Sequence, residues 1–130
     1  MAYYSLDTET YLISGRLTPR LMCGQIADES GETTLMDSAD TVKKVASTLH
    51  EGHSLVFQNA AYDLGVLMVE AESLIEPIFT ALSEGRIYDT MIREILINNA
   101  TGQSGKVSLS AMVERRYGVS IGGKDTTRLL

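Results

Sequence analysis

The sequence predicts an α/β fold built on a mixed sheet, and three observations carry that prediction. Three strand-like segments, 2–7, 21–27 and 32–36, succeed one another as a meander, with the turn Glu29-Ser30-Gly31 between the last two. A helical period then sets Val42, Val45, Ala46 and Leu49 on one face. After it, "SLVFQ" (54–58) is an apolar run too short for a helix and suited to a buried strand, and helical patterns dominate the remainder of the chain.

The first strand, 2–7, is aromatic and apolar, and it delivers two acids, Asp7 and Glu9, at its exit. Ser38 opens the first helix and Gly52 closes it. A second helix starts near Ala60 and turns Leu64, Leu67 and Met68 inward. Pro77 interrupts the next region, where a short helix over 76–84 is expected. Arg86–Tyr88 reads as a last short strand. Asp89-Thr90 then caps a helix whose inner face is Ile92, Ile95 and Leu96. "NNATGQSGK" is a polar loop; its "GQSGK" lacks the second half of a phosphate loop and the strand before it, so it reads as a flexible surface loop. Ser108 opens the helix "LSAMVERRYG", which Gly118 ends, with Arg115 and Arg116 on a solvated face. The tail "GVSIGGKDTTRLL" holds turn residues and an apolar pair but no complete element, as in a domain cut before its end.

At 130 residues the chain fits one domain with a single core. With 44% hydrophobic and 22% charged residues it has the composition of a soluble protein. No apolar run approaches the roughly 18–20 residues that a membrane helix needs. The N-terminus lacks the layout of a signal peptide, so a cytoplasmic setting is expected, and the lone Cys23 agrees with a reducing compartment. Net charge is −6, but it is divided unevenly. Residues 1–85 carry 4 Lys/Arg against 13 Asp/Glu, and residues 86–130 carry 7 against 4. An acidic part and a mildly basic part could together hold cations and a phosphate chain.

Asp7 and Glu9 share one side of their strand, because alternate strand residues face alike. Hard oxygen ligands at the C-terminal end of a strand suit Mg²⁺ or Mn²⁺ better than zinc. A solvated strand end explains the same pair. A second piece, "LVFQNAAYDLGVL", runs a buried strand into Asn59 and then carries Asp63 on the first turn of a helix. As plain structure, Asn59 would cap that helix and Asp63 would complement its dipole. "HEGH" has metal-binding residue types, but Gly52 ends the helix between His50 and His53, so no metal is expected there.

The chain resembles the proofreading 3′–5′ exonuclease domain of family A DNA polymerases, of phage type, within the DEDD exonuclease superfamily. "LDTET" is similar to that family's Asp-x-Glu motif and "NAAYD" to its Asn-x(2–3)-(Phe/Tyr)-Asp motif. "YDTMIREILIN" and "LSAMVERRYG" look like two further family segments in order and spacing, so the likeness covers about residues 1–125. The resemblance implies a ribonuclease H-like mixed sheet with the first strand central. It implies that Asp7, Glu9 and Asp63 are catalytic and hold two Mg²⁺ or Mn²⁺ ions. Asn59 would bind near the scissile nucleotide, and Leu12 and Ile13 would wedge against the terminal base. The implied substrate is a DNA 3′ end, preferably single-stranded, and the implied partner is a polymerase domain in cis or on another chain.

The family's fourth acid, in a Tyr-x-x-x-Asp or His-x-x-x-x-Asp motif, has no counterpart; the only such spacing, Tyr3 to Asp7, belongs to the first motif. Asp89 matches a helix-capping acid of the family, and Asp125 sits in a glycine-flanked tail. The expectation is a truncated exonuclease domain that digests single-stranded DNA very slowly or not at all. The other reading is a degenerate exonuclease fold that serves as a nucleic-acid-binding or protein-interaction module.

Overall fold

The computed structural model describes residues 1–121; Asp125 and most of the tail "GVSIGGKDTTRLL" lie outside the described residues. The chain forms two compact units, Met1–Asp89 and the residues from Thr90 onward.

The first unit is a five-stranded mixed sheet with helices. Its elements are β1 (Tyr3–Thr10), β2 (Leu21–Ala27), β3 (Thr33–Asp37), α1 (Ser38–His50), β4 (Ser54–Phe57), α2 (Ala60–Glu70), a 3₁₀ turn (Glu72–Leu74), α3 (Ile75–Ser83) and β5 (Ile87–Asp89). The strand order is β3-β2-β1-β4-β5, so β1 is central. β1 to β3 pair antiparallel as the predicted meander, whereas β1–β4 and β4–β5 are parallel. A parallel neighbour needs a crossover, and α1 supplies it between β3 and β4.

β1 is longer than the apolar pattern predicts. It runs to Thr10, so Asp7 and Glu9 lie within the strand rather than at its exit. The reason is β2, whose register continues through Asp7↔Gln25 and Glu9↔Cys23 to Thr10↔Leu21. Hydrogen bonding to a neighbour extends a strand past its apolar residues when the polar ones face water. β4 is shorter: its last pair with β1 is Ser5↔Val56.

Alternation along β1 buries Leu6 and Thr8 and exposes Ser5, Asp7 and Glu9. Leu6 pairs with Ile26 and Thr8 with Gly24, which defines one covered face. α1 closes onto this face at Gly24, where an added Cβ would come within 2.5 Å of the Thr41 side chain. Leu6, Ile26, Leu55 and Phe57 meet Val45, Leu49, Leu64, Leu67 and Ile78 in the core.

Capping chemistry sets the helix ends. α1 begins at Ser38 as expected, and the carboxylate of the preceding Asp37 caps it by accepting the Asp40 N–H at 2.8 Å. Pro77 falls in the first turn of α3, where its missing N–H has no helical partner to lose.

The second unit holds α4 (Thr90–Thr101) and α5 (Leu109–Tyr117). Ser108 caps α5 through the Ala111 N–H, and Gly118 ends it with a left-handed φ of 67°, as the sequence predicts. The expected inner face of α4 is overturned. Ile92, Ile95 and Leu96 are exposed, while Glu94 and Asn98 are buried. The cause is an ion cluster: Arg115 and Arg116 of α5 both bind the Glu94 carboxylate, with Arg116 Nη2 at 2.8 Å from Oε2. Arg115 and Arg116 stay exposed, as predicted, and are ion-paired as well. Arg115 also donates to the Lys106 carbonyl, which fastens the "GQSGK" loop to α5. Among the described residues no helix is long and apolar enough to cross a membrane.

Candidate functional site at the end of β1

β4 leaves the sheet after Phe57, and the chain enters α2 through Asn59. The N–H of Thr8, three residues beyond the last β1–β4 pair, therefore has no strand to donate to on that side. Asp63 on the first turn of α2 takes its place. Its Oδ1 accepts the Thr8 N–H at 3.1 Å and the Thr8 hydroxyl as well. Asp63 is only 3% exposed. Burial pushes its carboxyl above the usual carboxylate range, the two Thr8 bonds pull the other way, and the nearby Asp7 charge pushes it further up.

The second and first acidic motifs thus meet at the end of the central strand. Asp7 and Glu9 flank Thr8 but face the opposite side, exposed on the face that α1 and α2 leave open. The donor chemistry is that of a hard cation site. The arrangement is not a closed one: among the described residues no three His, Cys, Asp or Glu side chains gather in a way that could hold a metal ion. The oxygen donors of Asp7, Glu9 and Asp63 fit Mg²⁺ or Mn²⁺ in kind, although they are not gathered into one cluster here.

Asn59 is the N-cap of α2 by position, yet its side chain makes no capping bond. Its φ of 71° makes it the one non-glycine residue with positive φ among the described residues. Asp89, at the end of β5, does the capping instead: its two oxygens accept the N–H groups of Asn59 (3.1 Å) and Ala60 (2.7 Å). Asp89, expected to cap the helix at Thr90, thus binds the start of α2. A one-dimensional pattern cannot show it, because β5 and α2 become neighbours only through the sheet. Asn59 is left with an exposed amide beside the acids' strand end.

Leu12 and Ile13 lie in the loop 11–20 after β1 and are exposed, Leu12 almost completely. The Tyr11 N–H bonds the Arg20 carbonyl at 3.0 Å and closes the loop's neck. Glu70 holds the far end by accepting the Leu21 N–H at 3.3 Å.

Two residues of the site escape the sequence reading. Thr8 lies between the acids, and its only signal is a polar β-branched residue on the buried side of the alternation. Tyr62 places its hydroxyl 2.8 Å from the Thr10 Oγ1, next to Asp63. His53, by contrast, is structural. Its Nδ1 accepts the Ala2 N–H at 3.0 Å and its ring packs edge-on against Tyr4.

No protein-family model matches this sequence, and no curated protein matches it.

Proposed function

We propose that this chain is a metal-dependent nuclease of the proofreading 3′–5′ exonuclease type, acting on single-stranded DNA ends. One observation carries the reading. Two acidic motifs far apart in sequence meet at the same end of the central strand, with Asp63 bonded to the residue between Asp7 and Glu9. The order of the mixed sheet, with β1 central between an antiparallel and a parallel neighbour, supports a ribonuclease H-like fold. Asp7, Glu9 and Asp63 would hold Mg²⁺ or Mn²⁺, which would supply an activated water and charge neutralisation at the phosphodiester.

The chain's own residues contribute placement. Thr8 holds the Asp63 carboxylate at the strand end, and Asp89 holds the start of α2 so that Asn59 presents its amide there. Leu12 and Ile13 offer apolar surface to an unstacked terminal base. A single-stranded end meets that surface more readily than a paired one.

A second reading, a nucleic-acid-binding module without cleavage, is favoured by the engagement of Asp63. A carboxylate already buried and bonded to Thr8 serves the fold whether or not it meets a metal. Digestion of a 5′-labelled single-stranded oligonucleotide in millimolar Mn²⁺ separates the two. Slow shortening from the 3′ end, abolished by Asp7→Ala, is expected for the nuclease. Binding of the oligonucleotide with no Asp7-dependent shortening would leave the module reading, and neither binding nor shortening would sink both.

A further inference from the structure

A cleft of about 390 Å³ lies beside this strand end and belongs to none of the residues assigned above except Leu12. Its walls include Tyr11, Leu12, Ser14, Arg16, Arg20 and Ser38. That volume is in the size class of small-ligand sites. The wall chemistry is mixed in a particular way: an aromatic ring and apolar side chains, two hydroxyls and two guanidinium groups.

The guanidinium groups stand out against their surroundings. Residues 1–89 carry 5 Lys/Arg against 14 Asp/Glu, so cations are scarce in this unit. Most of them are occupied. Arg86 donates to the carbonyls of Leu49 and His53, and Lys44 stands over the Tyr4 ring. Arg20 leans on Glu70 at 3.4 Å. Arg16 enters no ion pair among the described residues, and it faces the cleft. The cleft walls hold no carboxylate. An anion entering here meets one free guanidinium and one weakly held one.

We infer that this cleft binds one nucleotide of a single-stranded nucleic acid, with Arg16 on its phosphate and the Tyr11 ring stacked on its base. The inference rests on the nuclease reading, since it assigns the place where the strand leading to the acids is held. An arginine fork suits phosphate oxygens, and a half-exposed tyrosine offers a face that any base can stack on. Tyr11 is two residues beyond Glu9, and the Tyr11–Arg20 backbone bond holds the loop's neck closed, so the cleft is anchored next to the acids. Ser14 and Ser38 can donate to the same phosphate or to the sugar.

The test is binding of a fluorescent octathymidylate in EDTA, where cleavage cannot occur, followed by anisotropy over about 50 to 200 mM salt. Arg16→Ala is expected to bind roughly tenfold more weakly, with a salt slope shallower by about 0.7, the value for one phosphate contact on a single strand. Tyr11→Ala is expected to weaken binding roughly tenfold without changing the slope. Arg16→Lys and Tyr11→Phe keep the charge and the ring, and should stay close to the unchanged protein. Leu17→Ser alters an exposed residue outside the cleft walls and should have no effect. Unlabelled octamer should compete better than thymidine monophosphate, and inorganic phosphate should compete least. Competition by the mononucleotide equal to that by the octamer would overturn the strand assignment in favour of a free nucleotide. Octamer binding unaffected by either alanine variant would overturn the cleft assignment while leaving the nuclease reading in place. No binding by the unchanged protein, together with no Asp7-dependent cleavage, would overturn both.

Discussion

Asp63 does two jobs that a single substitution can separate. Its carboxylate completes the hydrogen bonding of Thr8 where β4 has ended, and it is an acid bonded to the residue between two other acids. Asp63→Asn keeps a carbonyl oxygen that can accept both Thr8 donors, so stability should change little. Asp63→Ala leaves a buried N–H and hydroxyl without an acceptor, which costs about 1–3 kcal/mol. Urea unfolding near neutral pH checks this directly, and equal midpoints for the alanine variant and the unchanged protein would refute it. If the nuclease reading holds, both variants lose Mn²⁺-dependent cleavage, the asparagine form while still folded. That contrast makes Asp63→Asn the cleaner probe of function.

At the scale of elements, two carboxylates act as ties. Asp89 joins the end of β5 to the start of α2, and both of its oxygens are used. Asp89→Asn keeps one acceptor and turns an NH₂ toward a backbone donor, so a loss of up to about 1 kcal/mol is expected, with Mn²⁺ binding unchanged. Isothermal titration with Mn²⁺ beside a denaturation curve reads both quantities; a clear fall in Mn²⁺ affinity would make Asp89 a ligand.

Glu94 ties α4 to α5. The hydrogen bonds from Arg116, then those from Arg115, hold its carboxyl below the usual glutamate range against the opposing effect of burial. A folded pKa below the unfolded one adds stability that is fully present above the unfolded value, about 4.3–4.5, and is lost as pH falls through the folded value. The advantage of the unchanged protein over Glu94→Gln should therefore be constant at neutral pH and disappear in acid. Melting temperatures of the two proteins across that range provide the check, and a gap that widened toward low pH would contradict the assignment.

Every residue of the buried hydrophobic cluster, from Leu6 to Ala81, belongs to the unit Met1–Asp89. A unit that owns its core is expected to unfold as one cooperative transition when expressed alone. Coincident far-ultraviolet circular dichroism and tyrosine fluorescence curves for residues 1–89 would show it; separated curves would mean that the later helices are needed. The charge division seen in the sequence tracks the same boundary, with the acids of the proposed site and most of the negative charge inside this unit.

Local chemistry in the sequence was enough for the element order, because strand alternation, helical period and caps are short-range properties. The strand 21–27, the strand expected at 32–36 and found at Thr33–Asp37, the buried run 54–58 found as Ser54–Phe57, the helix from Ala60 and the helix between Ser108 and Gly118 all follow from such signals. The sequence also determined that two acidic motifs exist, one carried by the first strand and one that follows the buried strand. Tertiary structure alone decided how they meet. It extended β1 through the acids by pairing it with β2, ended β4 early enough for Asp63 to replace it at Thr8, and assigned Asp89 to α2. It also turned Glu94 inward where periodicity favoured Ile92, Ile95 and Leu96. Hydrogen bonds and ion pairs between residues distant in sequence settle these placements, and no periodicity along the chain encodes which distant partner a buried polar group will find.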